Sequence, residues 1–122
     1  MNEKQKAREL QLQDIRARLP ELLNNAAKEI NTVLPGSTVM LFGSYARGDF
    51  NDDSDIDLCV LVPEYTQKRM DMIVDASLAA HEHVSMPTDL LLYTYDEFEE
   101  SAKKKSRIHY HIKNEGVVLN GR

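Results

Sequence analysis

The stretch Asp55-Ile56-Asp57-Leu58-Cys59-Val60-Leu61-Val62 constrains the fold more than any other part of the chain. It alternates at first, then becomes wholly apolar, and Pro63 stops it. An apolar run of strand length with no polar face needs cover on both sides, so it reads as a central strand of a layered sheet. Thr38 to Phe42 and Thr88 to Tyr93 are two more apolar runs bordered by turn residues, and they read as strands beside it.

The rest of the chain reads as helix. Leu10, Leu12, Ile15 and Leu19 recur near helical spacing, and Pro20 is expected to end that helix and start another, over Pro20 to Leu34. The second helix would turn Leu22, Leu23, Ala26, Ala27, Ile30, Val33 and Leu34 inward, and Pro35-Gly36 would end it. Gly43 to Asp49 reads as a turn or short helix. Tyr65 to about Val84 reads as a helix with Met70, Ile73, Val74, Ser77, Leu78 and His81 on its inner face, and with Met70 and Met72 in the core. Asp96 resembles the N-cap of a helix reaching about Lys104. Arg107 to Asn114 forms a last helix closed by Gly116, and Val117 to Leu119 is an apolar tail that packs back. The expectation is an α/β (α+β) fold, a small mixed sheet of three or more strands backed by helices. With 122 residues the chain suits one domain, a core over about 20–119 behind a helical extension over 1–19.

Charge and composition narrow the function. A formal net charge of −5 argues against broad nucleic-acid binding, which depends on Lys and Arg neutralising phosphates. It leaves a nucleotide open as ligand, because a metal ion can bridge carboxylates to phosphates. Lys103, Lys104, Lys105 and Arg107 read as a solvated helix end. No apolar run approaches the roughly 20 residues that cross a bilayer, and Met1 to Arg18 has no apolar signal core. A single cysteine, Cys59, fits a reducing compartment, so a cytoplasmic protein with no membrane partner is expected.

Three features carry chemistry. Gly43-Ser44 follows a buried strand, where a glycine lets backbone N–H groups approach a ligand and Ser44 adds a hydroxyl; this suits the outer phosphates of a nucleoside triphosphate. Asp55 and Asp57 are two apart at the opening of a strand, so both carboxylates face one way, with Cα atoms roughly 6.6 Å apart. Two such charges at the end of an apolar strand repel each other and lose solvation, and a hard cation reverses that penalty. Asp89 leads into Leu90-Leu91-Leu92 at a sheet end, and it joins the cluster if the third strand neighbours the second. Such a set suits phosphoryl-type transfer, which needs positioning and charge neutralisation more than covalent help.

The spacing Gly43-Ser44, ten residues, Asp55-x-Asp57 resembles the signature of the DNA polymerase β-like nucleotidyltransferase superfamily. Gly43-Ser44-Tyr45-Ala46-Arg47-Gly48, Thr88-Asp89-Leu90-Leu91 and the tail Ile112 to Leu119 are most similar to its minimal nucleotidyltransferase branch. The resemblance implies that Gly43 and Ser44 contact phosphates and that Asp55, Asp57 and Asp89 are catalytic and hold Mg²⁺, two ions in all. Arg47 would touch phosphate or brace the turn. Tyr45, inside the glycine-bounded turn, is a lesser candidate to border the nucleotide. It implies ATP as substrate and AMP transfer to a hydroxyl, such as a tyrosine of a helical HEPN-type toxin with which the chain would form a hetero-oligomer as antitoxin. A non-catalytic antitoxin that acts by binding and a small-molecule, antibiotic-type nucleotidyltransferase are the competing readings. The histidine pairs His81/His83 and His109/His111 have poor spacing for a shared metal on a helix, and Cys59 reads as a buried small hydrophobe.

Overall fold

The computed structural model describes residues 2–51 and 53–119, and within these the side chains of residues 8, 9 and 11–16 lie outside the description. Helix α1 (Glu3–Val33) is followed by β1 (Thr38–Phe42), the four-residue helix α2 (Ser44–Arg47) and β2 (Ile56–Val62). Helix α3 (Arg69–His81) leads to β3 (Thr88–Thr94), then α4 (Tyr95–Ala102), α5 (Ile108–Glu115) and β4 (Val117–Leu119). The sheet order is β3-β2-β1-β4, with β2 and β3 parallel and the other neighbours antiparallel. This is the mixed, helix-backed sheet that the apolar runs require. The tail at Val117 is its fourth strand, paired with β1.

β2 is central because both of its faces are covered. Ile56, Leu58, Val60 and Val62 pack into a cluster with α1 and α3, which bring Leu23, Ala27, Ile30, Met72 and Ala76. Cys59 and Leu61 point the other way, into a second cluster with Met40, Phe98 from α4 and Ile112 from α5. The odd-numbered positions of β2 thus share a face with α4 and α5, and this decides where Asp57 looks.

Four expectations need correction. Pro20 does not divide α1: one helix runs through it, opened by a capping box between Asn2 and Gln5. The Pro20 ring is exposed, while Leu19 and Leu23 on either side are buried, so core packing holds the helix across the lost hydrogen bond. Leu12 and Ile15 lie among the undescribed side chains, and Leu10 is exposed. At the far end of that helix Val33 is also exposed. The N-cap of α4 is Thr94, whose hydroxyl accepts from the Glu97 N–H, and Asp96 lies within the first turn.

The fourth correction concerns α3, which is shorter than expected and rotated about its axis. Met72, Ala76, Ala79 and Ala80 are buried, whereas Met70, Val74 and Leu78 are 65%, 48% and 62% exposed. The helix carries two apolar faces, one of small residues and one of large ones. The small face wins because α1 and α3 both bring alanines into one cluster, and small side chains let two helix axes approach closely. The large face is left toward solvent. Met72→Ala is therefore expected to cost about 2–5 kcal/mol of stability, whereas Met70→Ala costs less than about 0.5 kcal/mol. Urea denaturation of the two variants checks this.

Candidate active site

The site lies where β1 ends and β2 and β3 begin. Phe42, the last residue of β1, stands opposite Asp57 in the antiparallel ladder. Asp57 stands opposite Asp89 in the parallel ladder. Leu91 and Tyr93, in alternation with Asp89, pack on the α4/α5 side, so Asp89 shares that sheet face with Asp57. Asp55 lies just before the strand, exposed, and its charge acts on Asp57. The sequence-derived trio therefore gathers at one sheet end, with Asp57 half-buried at its centre.

Gly43 closes the other side. Its φ of 76° and ψ of −154° fall in a region essentially reserved for glycine. A Cβ there would overlap the Asp57 carboxylate. The backbone thus lies directly against the acid, which is what bringing phosphate-binding N–H groups and a carboxylate to one ligand requires. Ser44 begins α2, so its N–H has no intrahelical acceptor. Arg47 ends α2, and its Nε donates to Asp49 Oδ2 at 3.2 Å while the residue lines the cavity beside Asp57. It braces the turn and stays near the site. Tyr45 does not border this cavity: its ring stacks on Phe50, with centroids 4.3 Å apart, and packs against the α1 cluster.

The electrostatics follow from this crowding. Burial first, then Asp89 and Asp55, push the Asp57 carboxyl above its ordinary value, and Arg47 partly opposes them. No ion pair among the described residues takes up the three aspartates. Their donor set is all carboxylate oxygen, the chemistry that Mg²⁺ takes, and the strained charge on Asp57 is the kind a cation relieves. Asp55, Asp57 and Asp89 are the residues that would hold it. They form an open cup: among the described residues, the trio whose ligand atoms all lie within 4.8 Å of one another is Glu29, Glu82 and His83, from the α1 and α3 side of the fold.

A cavity of about 640 Å³ adjoins Asp57, walled by Phe42, Gly43, Ser44 and Arg47 on one side and by Ile108, His111, Ile112 and Glu115 of α5 on the other. The motif spacing points to the first wall only. Nothing between Asp89 and Gly116 reveals that α5 folds back over the strand ends, except that Ile108, His111, Ile112 and Glu115 share one helix face. His109, on the opposite side of that pair, packs against Tyr93 and Phe98, and burial holds its pKa down. Cys59 is buried, and burial pushes its thiol up to about 12, which suits a packing role.

Two variants probe this geometry. Asp57→Asn removes a charge that the fold raises in energy, so it should increase Tm at neutral pH. A raised carboxyl pKa penalises the folded state above that pKa and not below the unfolded one. The gain should therefore shrink as pH falls through the raised value toward the ordinary carboxylate range. Gly43→Ala should destabilise by about 1–3 kcal/mol, because it combines a forbidden backbone conformation with an overlap on Asp57. Thermal melts across pH check both.

Comparison with known proteins gives the family and the fold. Residues 21–118 match the family model described as a nucleotidyltransferase domain. A stretch of 46 residues is 46% identical to a "putative protein adenylyltransferase" of Methanocaldococcus jannaschii, covering 36% of this chain and 46% of that relative's length. The crystal structure of a "putative nucleotidyltransferase" from Sulfolobus solfataricus superposes with a TM-score of 0.55 at 20% identity, over 86% of this chain and 82% of that one, and so shares the fold. With a family match over most of its length, the chain belongs to the nucleotidyltransferase domain family.

Proposed function

We propose that the protein is a Mg²⁺-dependent adenylyltransferase that moves AMP from ATP to a hydroxyl of a partner protein. The observation that carries this is the facing pair Asp57 and Asp89 on one sheet surface, with the Gly43 backbone packed against Asp57. Gly43 and Ser44 hold the outer phosphates through N–H and hydroxyl donors, and Arg47 neutralises part of their charge. Asp55, Asp57 and Asp89 would hold magnesium, two ions in the full site. Bound magnesium would neutralise the phosphates and align the α-phosphorus. Asp89 accepts the proton of the acceptor hydroxyl as its oxygen bonds to that phosphorus. The bond from the α-phosphorus to the bridging oxygen breaks, and pyrophosphate leaves.

Two observations support a protein acceptor. The Methanocaldococcus relative is named as a protein adenylyltransferase. The outer face of α3 exposes Met70, Val74 and Leu78 at every fourth residue, a ridge suited to a helical partner. Asp71, Asp75 and Glu82 rim one side of that ridge. A two-fold pairing of α3 with its own copy would place these carboxylates on a common rim, so the ridge favours a basic, different partner. The proposed partner is a HEPN-type helical toxin modified on a tyrosine, which makes this chain the antitoxin of a cytoplasmic hetero-oligomer.

No helix among the described residues is long and apolar enough to cross a membrane.

Purified protein incubated with labelled ATP, Mg²⁺ and a HEPN-type partner should label the partner on tyrosine. Asp57→Ala and Asp89→Asn should each lower the rate at least about 100-fold. A wild type that binds ATP and partner without transferring label would overturn the catalytic reading. If Asp57→Ala still neutralised the toxin, protection would come from binding alone.

A further inference from the structure

We infer that α5 is the wall that reads the nucleoside, with His111 and Ile108 forming the platform for the base and Glu115 accepting from the ribose hydroxyls. The inference rests on the proposed nucleotide chemistry and adds a nucleoside subsite to it.

The cavity beside Asp57 has two unlike walls. One is phosphate chemistry: the Gly43 backbone, Ser44, Arg47 and the acid itself. The other is a single face of α5, with Ile108, His111, Ile112 and Glu115 at spacings of three, four and seven. Ile112 is buried and belongs to the core, but Ile108 is 48% exposed, and His111 and Glu115 are exposed. Core packing accounts for Ile112 and leaves the other three facing the cavity.

Their order along the helix matches the order of groups in a nucleotide. Val117 pairs with Leu41 in the β1/β4 ladder, so the chain comes level with the Gly43 turn at the C-terminal end of α5. Glu115 is therefore the α5 residue nearest the phosphate turn. His111 lies about one helical turn, about 5.4 Å, farther out, and Ile108 nearly a second turn beyond. A nucleotide bound by its phosphates at Gly43-Ser44 extends in the same sequence, ribose and then base. Glu115 has only acceptors, which suits the two ribose hydroxyls and would repel a phosphate. His111 offers an aromatic face, and Tyr110 meets its ring edge-on at 5.5 Å between centroids. Imidazole and isoleucine together make the flat, weakly polar surface on which a base stacks. A volume of about 640 Å³ is in the range of pockets that hold ligands of this size.

The test separates base, ribose and phosphate. Isothermal titration measures binding of Mg-ATP, Mg-2′,3′-dideoxy-ATP and Mg-tripolyphosphate to the wild type, His111→Ala and Glu115→Ala. Both substituted positions are exposed, and circular dichroism checks that the fold stays intact. His111→Ala should weaken ATP about 10-fold and change tripolyphosphate less than about twofold. The wild type should prefer ATP to the dideoxy analogue, and Glu115→Ala should lose that preference. Unchanged ATP affinity in His111→Ala, or equal weakening of ATP and tripolyphosphate, would overturn the inference and leave the nucleotide reading standing. A wild type that binds neither ATP nor tripolyphosphate would remove both.

Discussion

Parallel pairing of β2 with β3 sets Asp57 directly beside Asp89, and much of the structure exists to hold that pairing in place. Two carboxylates on neighbouring strands repel each other, and the half-buried one pays in lost solvation, as its raised pKa records. The paired acids themselves contribute nothing to that register. It is imposed by Leu58, Val60 and Val62, which are anchored between β1, α1 and α3, and by the α3 crossover that returns the chain to β3. The core fixes the register by alternation, since a slip of one residue would turn Asp57 and Cys59 into the α1/α3 cluster in place of Leu58 and Val60. The charge repulsion at the strand ends is small against that core, so the acids stay where catalysis would need them.

The glycine turn complements this. Gly43 adopts a conformation closed to other residues, and its missing side chain lets the backbone lie against Asp57. Donors for an anion and acceptors for a cation are thereby placed on either side of one ligand position. α5, which the chain reaches after two further helical segments, covers the far side, so the described site draws on β1, α2, β2, β3 and α5.

Much of this was legible in the sequence, for particular physical reasons. Strand-length apolar runs bounded by turn residues placed β1, β2 and β3 to within about a residue, because few other structures bury such runs. The Gly43-Ser44 and Asp55-x-Asp57 spacing pointed to one site because paired acids at the head of an apolar strand have little packing use. Asp89 depended on strand order, which alternation alone does not supply; the parallel β2/β3 pairing resolves it. The phase of α3 is not legible because its larger apolar residues suggest burial, while the face packed against α1 is mostly alanine. Pro20 misled because propensity is local, whereas the buried Leu19 and Leu23 that carry α1 through it act at the tertiary level. The α5 wall was invisible, since helix spacing shows which residues share a face and not what that face meets.

The central claim is that Asp55, Asp57 and Asp89 form the cation site of a nucleotide whose phosphates rest on Gly43 and Ser44. A crystal structure with Mg²⁺ and α,β-methylene-ATP tests it most directly. The account predicts cations about 2.0–2.1 Å from carboxylate oxygens of Asp55 and Asp57, bridging to phosphates held by the Gly43-Ser44 turn. Phosphates bound elsewhere, or a cation taken up by Glu29, Glu82 and His83 while Asp57 stays uncoordinated beside bound nucleotide, would contradict it.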